Sequence, residues 1–107
     1  RITAYKMLDA MRRYHRGQED GGLEMMLNAE MLIIDDLGTE PMLENITVEY
    51  LFTLLNERRI GRLPTLIATN LTPPLLKERY GERIMSRLSD TKAWDHCRLM
   101  GKDLRRA

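Results

Sequence analysis

Residues 31–38 read MLIIDDLG, and this stretch decides the fold prediction. Met31 to Ile34 are apolar without alternation, which is typical of a strand covered on both faces in a parallel sheet flanked by helices. Asp35 and Asp36 close the predicted strand, and buried carboxylates are costly unless cations or polar groups meet them. The stretch therefore predicts an α/β fold with a polar site at one end of a strand.

The residues on either side alternate between strand and helix patterns. Such alternation predicts a parallel sheet with right-handed crossovers and a ligand site beyond the carboxyl ends of the strands. The loop before the third helix carries Asn45, which we expect to be its N-cap. The predicted elements are strands at 1–5, 31–34, 66–68 and 94–100 and helices at 6–16, 23–28, 46–59, 73–79 and 81–89.

Composition limits the classes of protein. The chain has 107 residues, enough for one small domain, and its net charge of +1 gives no strong overall field toward DNA or a membrane. The single cysteine, Cys97, and two distant histidines cannot form a disulfide or a closed zinc site, which favours a reducing cytoplasm. No apolar run reaches the roughly 18 residues of a membrane span.

Polar residues follow both of the best predicted strands. Asp35 and Asp36 are suited to a hydrated Mg²⁺ ion and an attacking water, although aspartates also commonly cap a following turn. Asn70 follows the predicted strand at 66–68. Its neutral amide would sense a γ-phosphate there, or Asn70 is an ordinary turn residue. The residues alone leave both interpretations open.

Four stretches occur in an order and spacing that resemble the DnaC and IstB-like family of AAA+ ATPases. They are MLIIDDLGTEPM, LFTLLNERRIGRLPTLIATNL, YGERIMSRLSD and GKDLRR. The resemblance implies a partial P-loop NTPase sheet, with residues 1–107 forming the C-terminal portion of a single AAA+ domain from Walker B to sensor 2. ATP and Mg²⁺ are the cofactors it implies.

The resemblance also implies roles for individual residues. Asp35 matches the Walker B ligand of magnesium, Asp36 the acid that activates water, and Asn70 the sensor 1 amide. Arg87 matches the arginine finger that reaches a neighbouring subunit's nucleotide, with Arg83 as the rival candidate. The last assignment is Arg105, which matches sensor 2.

The arginines of the predicted last helix have an ordinary alternative. Arg83 and Arg87 are four residues apart, so they also fit a solvated pair or partners of Glu78 and Glu82. Asp36 stands where many AAA+ proteins carry the longer glutamate, which predicts slow intrinsic hydrolysis.

The phosphate-binding pattern G-x-x-x-x-G-K-[ST] does not occur in the sequence, so we expect these residues alone to bind ATP poorly. The chain opens on Arg1 without an initiator methionine and is expected to be part of something longer. In this family the strand before that loop lies between the last strand and the sensor 1 strand. We therefore expect a gap there, with instability, oligomerisation or strand exchange.

A basic segment in the first predicted helix is a candidate nucleic-acid contact. Arg12, Arg13 and Arg16 surround Tyr14 and His15, which would combine phosphate contacts with base stacking. The alternative is a solvated helix face with a buried His15.

The resemblance implies a helicase loader that places a replicative helicase on single-stranded DNA and self-associates through the arginine finger. One alternative is an IstB-like helper that acts with a transposase on duplex DNA. The other is a non-catalytic module that only binds a partner.

Overall fold

The computed structural model describes residues 1–18, 20–89 and 97–101 and has an α/β architecture. It agrees with the predicted class, a parallel sheet flanked by helices. The elements in chain order are β1 (Ile2–Thr3), α1 (Ala4–His15), α2 (Gly22–Asn28), β2 (Leu32–Leu37), α3 (Thr47–Ile60), β3 (Thr65–Thr69), α4 (Pro73–Tyr80), α5 (Glu82–Ser89) and β4 (Cys97–Gly101).

All four described strands are parallel and follow one another across the sheet in the order β1-β2-β3-β4. The gap that we expected beside β3 is not found, because β4 pairs directly with β3 from Thr65↔Cys97 to Thr69↔Gly101. This pairing satisfies the backbone groups of β3 that a missing neighbour would leave exposed. The expected instability and strand exchange remain predictions.

The helices pack their buried faces into one hydrophobic cluster with the central strands. Leu32, Ile34 and Ile67 of the sheet belong to it, together with residues of all five helices. Right-handed crossovers between strands that follow in chain order place the helices on one face of a sheet, which explains the shared cluster. Ile33 and Leu66 alternate with the cluster residues and are half-buried, so the predicted cover on both faces is only partial among the described residues.

Four helix starts differ from the sequence prediction by one or two residues, and hydrogen bonds at the start explain two of them. Helix α1 begins at Ala4 because Thr3 is its N-cap and accepts a hydrogen bond from the Lys6 amide at 3.2 Å. The predicted N-cap Asn45 is wrong, since α3 starts at Thr47 with Ile46 at the cap and Asn45 takes a φ of 65°. The start is fixed by the Thr47 hydroxyl, which accepts from the Leu43 amide at 2.7 Å and donates to the Pro41 carbonyl at 2.9 Å.

Among the described residues, no helix has both the length and the apolar character needed to cross a membrane.

Candidate functional site

The carboxyl ends of β2 and β3 meet at one edge of the sheet. Leu37 and Thr69 are partners in the parallel register, and the Thr69 hydroxyl donates a hydrogen bond to the Leu37 carbonyl at 2.6 Å. The same hydroxyl accepts from the Leu71 amide at 3.1 Å, which fixes the turn after β3. The two acids of β2 and the exposed Asn70 after β3 therefore lie at the same edge, as the sequence predicted.

The two acids lie within β2 rather than after it, because the strand continues to Leu37. The register shifts between Ile34 and Leu37, and Asp36 has a φ of 61°. Aspartate tolerates the left-handed region better than most residues, and irregularities of this kind re-aim side chains at strand ends. The backbone of β2 is thus distorted where the proposed chemistry requires two carboxylates.

Asp35 carries a carboxylate that already pairs with a cation. Its Oδ2 lies 3.2 Å from Nη2 of Arg1, and the side chain is 21% exposed. Mg²⁺ commonly takes one or two carboxylates from the protein and fills its shell with phosphate oxygens and water. Asp35 fits that donor set, although no cluster of three or more His, Cys, Asp or Glu side chains occurs in the part of the chain that the structure describes.

Glu40 forms a buried polar cluster beside this edge that the sequence did not reveal. Its Oε1 accepts from the Gly38 amide at 2.8 Å and its Oε2 from the Tyr80 hydroxyl at 2.5 Å, while only 1% of the residue is exposed. Arg79 Nη2 lies 3.8 Å from Oε1 and also donates to the Glu40 carbonyl. Glu40 and Tyr80 are 40 residues apart, so only the fold brings them together.

The Tyr80 hydroxyl is held in its protonated, donating form. Burial first, and then its hydrogen bond to the Glu40 carboxylate, raise the pKa of Tyr80 well above its ordinary value. The hydroxyl therefore stays protonated, and able to donate to Glu40, to a higher pH than an exposed tyrosine would.

The two finger candidates share an aromatic support on α3. The guanidinium carbon of Arg83 lies 4.5 Å from the centroid of the Phe52 ring, and that of Arg87 lies 5.4 Å from it. Arg83 is 61% exposed and reaches Glu49 at 3.5 Å, whereas Arg87 is half-buried. The buried Nε of Arg87 has no hydrogen-bond acceptor within the described ranges.

These contacts correct the partners named in the alternative interpretation of the two arginines, while the exposed side chain of Arg83 still fits a solvated surface residue. Arg83 pairs with Glu49 of α3 rather than with Glu78 or Glu82 of its own region. Glu82 instead lies 3.4 Å from Lys77. Side chains of α3 thus support Arg83 and Arg87 on α5. The exposed guanidinium of Arg83 presents a cation at the surface.

The basic segment of α1 is partly neutralised within the chain. Arg12 lies 2.8 Å from Asp9, and Arg13 pairs with Asp9 and, at 2.6 Å, with Asp20. A hydrogen bond from the Gly22 amide and the Arg13 guanidinium hold the pKa of the Asp20 carboxyl below its ordinary value. Arg16 is exposed, so of the three candidates it keeps the greatest freedom to contact a phosphate.

His15 is exposed, so the expectation of a buried His15 is wrong. Its Nδ1 lies 3.0 Å from the Tyr50 hydroxyl, and the two rings meet edge to face at a centroid distance of 5.7 Å. Tyr14 makes a similar contact with Tyr50 at 6.1 Å. The imidazole is positioned by an aromatic neighbour on α3 and not by the core.

The predicted sensor 2 residue, Arg105, lies outside the described residues, as does Trp94 at the start of the strand predicted at 94–100. Searches of protein family models, of characterised proteins and of solved structures found no match to this chain. The functional assignment therefore depends on the motifs and on the geometry of the sheet edge.

Proposed function

We propose that these residues form part of an AAA+ ATPase of the helicase-loader type, which acts in the cytoplasm. The four ordered sequence motifs support the family. The resemblance that they carry implies single-stranded DNA and a replicative helicase as partners. A phosphate-binding loop is required from outside these residues, since their sequence has none.

One observation carries the proposal. The Leu37↔Thr69 register and the 2.6 Å bond between the two residues place the acids of β2 and Asn70 at the same edge of adjacent strands. ATP hydrolysis needs a cation-binding carboxylate, an acid near the attacking water and a neutral amide at the γ-phosphate. At that edge, Asp35 provides the cation-binding carboxylate, Asp36 the acid near the water and Asn70 the neutral amide.

Each residue then has a separable role. Asp35 holds the magnesium ion, which neutralises phosphate charge when it is bound. Asp36 accepts a hydrogen bond from the attacking water and orients it. Asn70 donates its amide to a phosphate oxygen without adding charge that would compete with the cation.

Arg87 supplies the cation for the nucleotide of a neighbouring subunit. Its guanidinium rests against the Phe52 ring of α3, which supports it beside that helix. Arginine suits this role because its planar group offers several fixed donors. A finger in this position makes hydrolysis depend on assembly, with a contribution of about 10³-fold or more to turnover.

The test uses a protein that contains these residues together with a phosphate-binding loop. We expect Asp36→Asn to lower kcat by about 100-fold or more while Mg·ATP binding is retained, because general-base positions typically contribute this much. Asp20→Asn, the same chemical change in the connection between α1 and α2, is the control and keeps the parent rate. Turnover of Asp36→Asn at the parent rate would contradict the proposed ATPase.

The finger is tested by mixing two variants of low activity. Asp36→Asn keeps Arg87, and Arg87→Ala keeps both acids, so mixed assemblies contain interfaces with one intact copy of each. We expect the mixture to turn over faster than either variant alone. If Arg83→Ala restores turnover when it is mixed with Asp36→Asn, and Arg87→Ala does not, the finger is Arg83.

The DNA partner is tested by the same assay. Stimulation of turnover by single-stranded DNA supports the loader, whereas stimulation only by duplex DNA supports the transposition helper. Normal binding of a helicase or transposase without any turnover supports the non-catalytic module.

A further inference from the structure

We infer that Glu40 is a positioning residue that couples the acids of β2 to the helix that carries Arg87. The inference rests on the proposed ATPase function and adds a mechanical link within that site. It assigns to Glu40, Arg79 and Tyr80 a role beyond holding the core together.

On one side, Glu40 controls the turn that follows the acids. The Gly38 amide donates to its carboxylate at 2.8 Å, and Gly38 is two residues after Asp36. The same turn is closed by Thr39, whose amide and hydroxyl both donate to the Asp36 carbonyl, at 3.1 Å and 2.7 Å. A shift of the Glu40 carboxylate would therefore move the backbone that sets the direction of the Asp36 side chain.

On the other side, Glu40 holds the end of α4. Tyr80 is the last residue of α4, and its hydroxyl donates to Glu40 Oε2 at 2.5 Å. Arg79 precedes it and donates to the Glu40 carbonyl. Gly81 then turns the chain with a φ of 90°, and α5 starts at Glu82.

The link continues along α5 to the finger candidate. Gly81 accepts a hydrogen bond from the Met85 amide at 3.1 Å through its carbonyl, so the first turn of α5 is built on this hinge. Arg87 lies on the same short helix. A displacement of Tyr80 thus changes the direction of α5, and with it the place of Arg87.

The energetics favour a link that behaves as one unit. A carboxylate that is 1% exposed is costly to bury, and its two hydrogen-bond donors and the Arg79 cation offset that cost only when all are in place. Breaking one contact weakens the whole cluster, since hydrogen bonds in a buried network support one another. The acid turn and the α4–α5 hinge are therefore expected to move together.

The experiment uses Tyr80→Phe in the complete ATPase, with Tyr50→Phe as the matched control. Both changes delete one hydroxyl that is hydrogen-bonded in the described structure, but Tyr50 bonds to His15 and not to Glu40. We expect Tyr80→Phe to lower kcat by roughly tenfold with little change in KM for ATP, because positioning is lost and nucleotide binding is not. Tyr50→Phe keeps the parent kcat.

A double-mutant cycle separates positioning from a merely structural effect. Rates are normalised to the folded fraction at the assay temperature, measured by thermal unfolding. If Glu40 acts through the finger, Tyr80→Phe has a much smaller effect on kcat in an Arg87→Ala background than in the parent. Glu40→Gln, which keeps an acceptor for the Gly38 amide, should lose less activity than Glu40→Ala.

Each outcome decides the inference. Equal kcat for Tyr80→Phe and the parent after normalisation, or the same fold-loss in both backgrounds, overturns the coupling. Asp36→Asn is run alongside, since its retention of full turnover would instead reject the proposed function. Loss with Asp36→Asn together with no loss with Tyr80→Phe leaves the ATPase in place and removes only the link.

Discussion

Arg58 is a fully buried cation, with 1% of the residue exposed, that is held by neutral oxygens. Its guanidinium donates to the carbonyls of Met26, Ala29 and Pro64 and to the Thr65 hydroxyl, at 2.7–2.8 Å. Burial lowers its pKa from the ordinary value for arginine. The sequence indicated only a basic residue near the end of α3, where it suits the helix dipole.

Replacing Arg58 should be among the most damaging single changes. Arg58→Met keeps an unbranched apolar stem but leaves buried acceptors at the end of α2 and the start of β3 without a donor. We expect a loss of about 3 kcal/mol or more in the free energy of unfolding, measured by urea denaturation. Arg58→Lys should lose less than Arg58→Met, because the ammonium keeps three donors, although it lacks the planar fork of arginine.

The control for this change is Arg16→Met. Arg16 is exposed at the end of α1, and surface changes of this kind usually stay within about 0.5 kcal/mol. A similar loss for both variants would show that the buried hydrogen bonds of Arg58 do not stabilise the fold.

Among the elements, the end of β2 is the most constrained. Gly38 has a φ of 109°, and a Cβ at this position would lie 2.6 Å from Cδ1 of Leu71. Leu71 follows Asn70, so the close approach of Gly38 is part of what brings the two strand ends together. A turn after the two acids was one interpretation of the sequence, but the contact with the next strand's loop is a property of the sheet register.

Gly38→Ala should therefore destabilise the chain by two separate terms. The positive φ disfavours any Cβ by about 1 kcal/mol or more, and the contact with Leu71 adds an overpacking cost of about 1–3 kcal/mol. Gly17→Ala is the matched control, because Gly17 has a φ of 82° with no atom within 4 Å of the added Cβ. Equal losses of unfolding free energy for the two variants would show that the approach to Leu71 is unimportant.

For the whole molecule, the strand order concentrates stability in the middle of the sheet. Strand β2 has neighbours on both sides, whereas β1 has two residues and pairs only through Ile2↔Ile34 and Thr3↔Asp35 among the described residues. The candidate acids thus lie on a central strand whose neighbour, β1, is a short edge strand. This arrangement predicts that β1 separates from β2 without loss of the core.

Amide hydrogen exchange tests this expectation. Amides in the hydrogen-bonded middle of β2 and β3 should exchange only through global unfolding, whereas those at the end of β1 should exchange orders of magnitude faster through local opening. Mass spectrometry of short peptides resolves the three strands. Equal protection of β1 and β2 would mean that the sheet opens only as a whole.

Local sequence patterns determined much of the fold. The unbroken apolar run before Asp35, the second run before Asn70 and the alternation with helical segments indicated parallel strands and the edge at which polar residues meet. These signals are local because burial and backbone geometry impose fixed periods on neighbouring residues. Positions that depend on capping were less certain, as Asn45 shows.

The tertiary structure alone decided the contacts between distant residues. Glu40 meets Tyr80, Arg58 meets the end of α2, and Phe52 supports Arg83, although no spacing in the sequence links these pairs. Likewise β4 lies directly against β3, where the resemblance had led us to expect a gap. Such contacts arise when elements pack and pair their remaining polar and backbone groups, which is a property of the assembled fold and leaves no period in the chain.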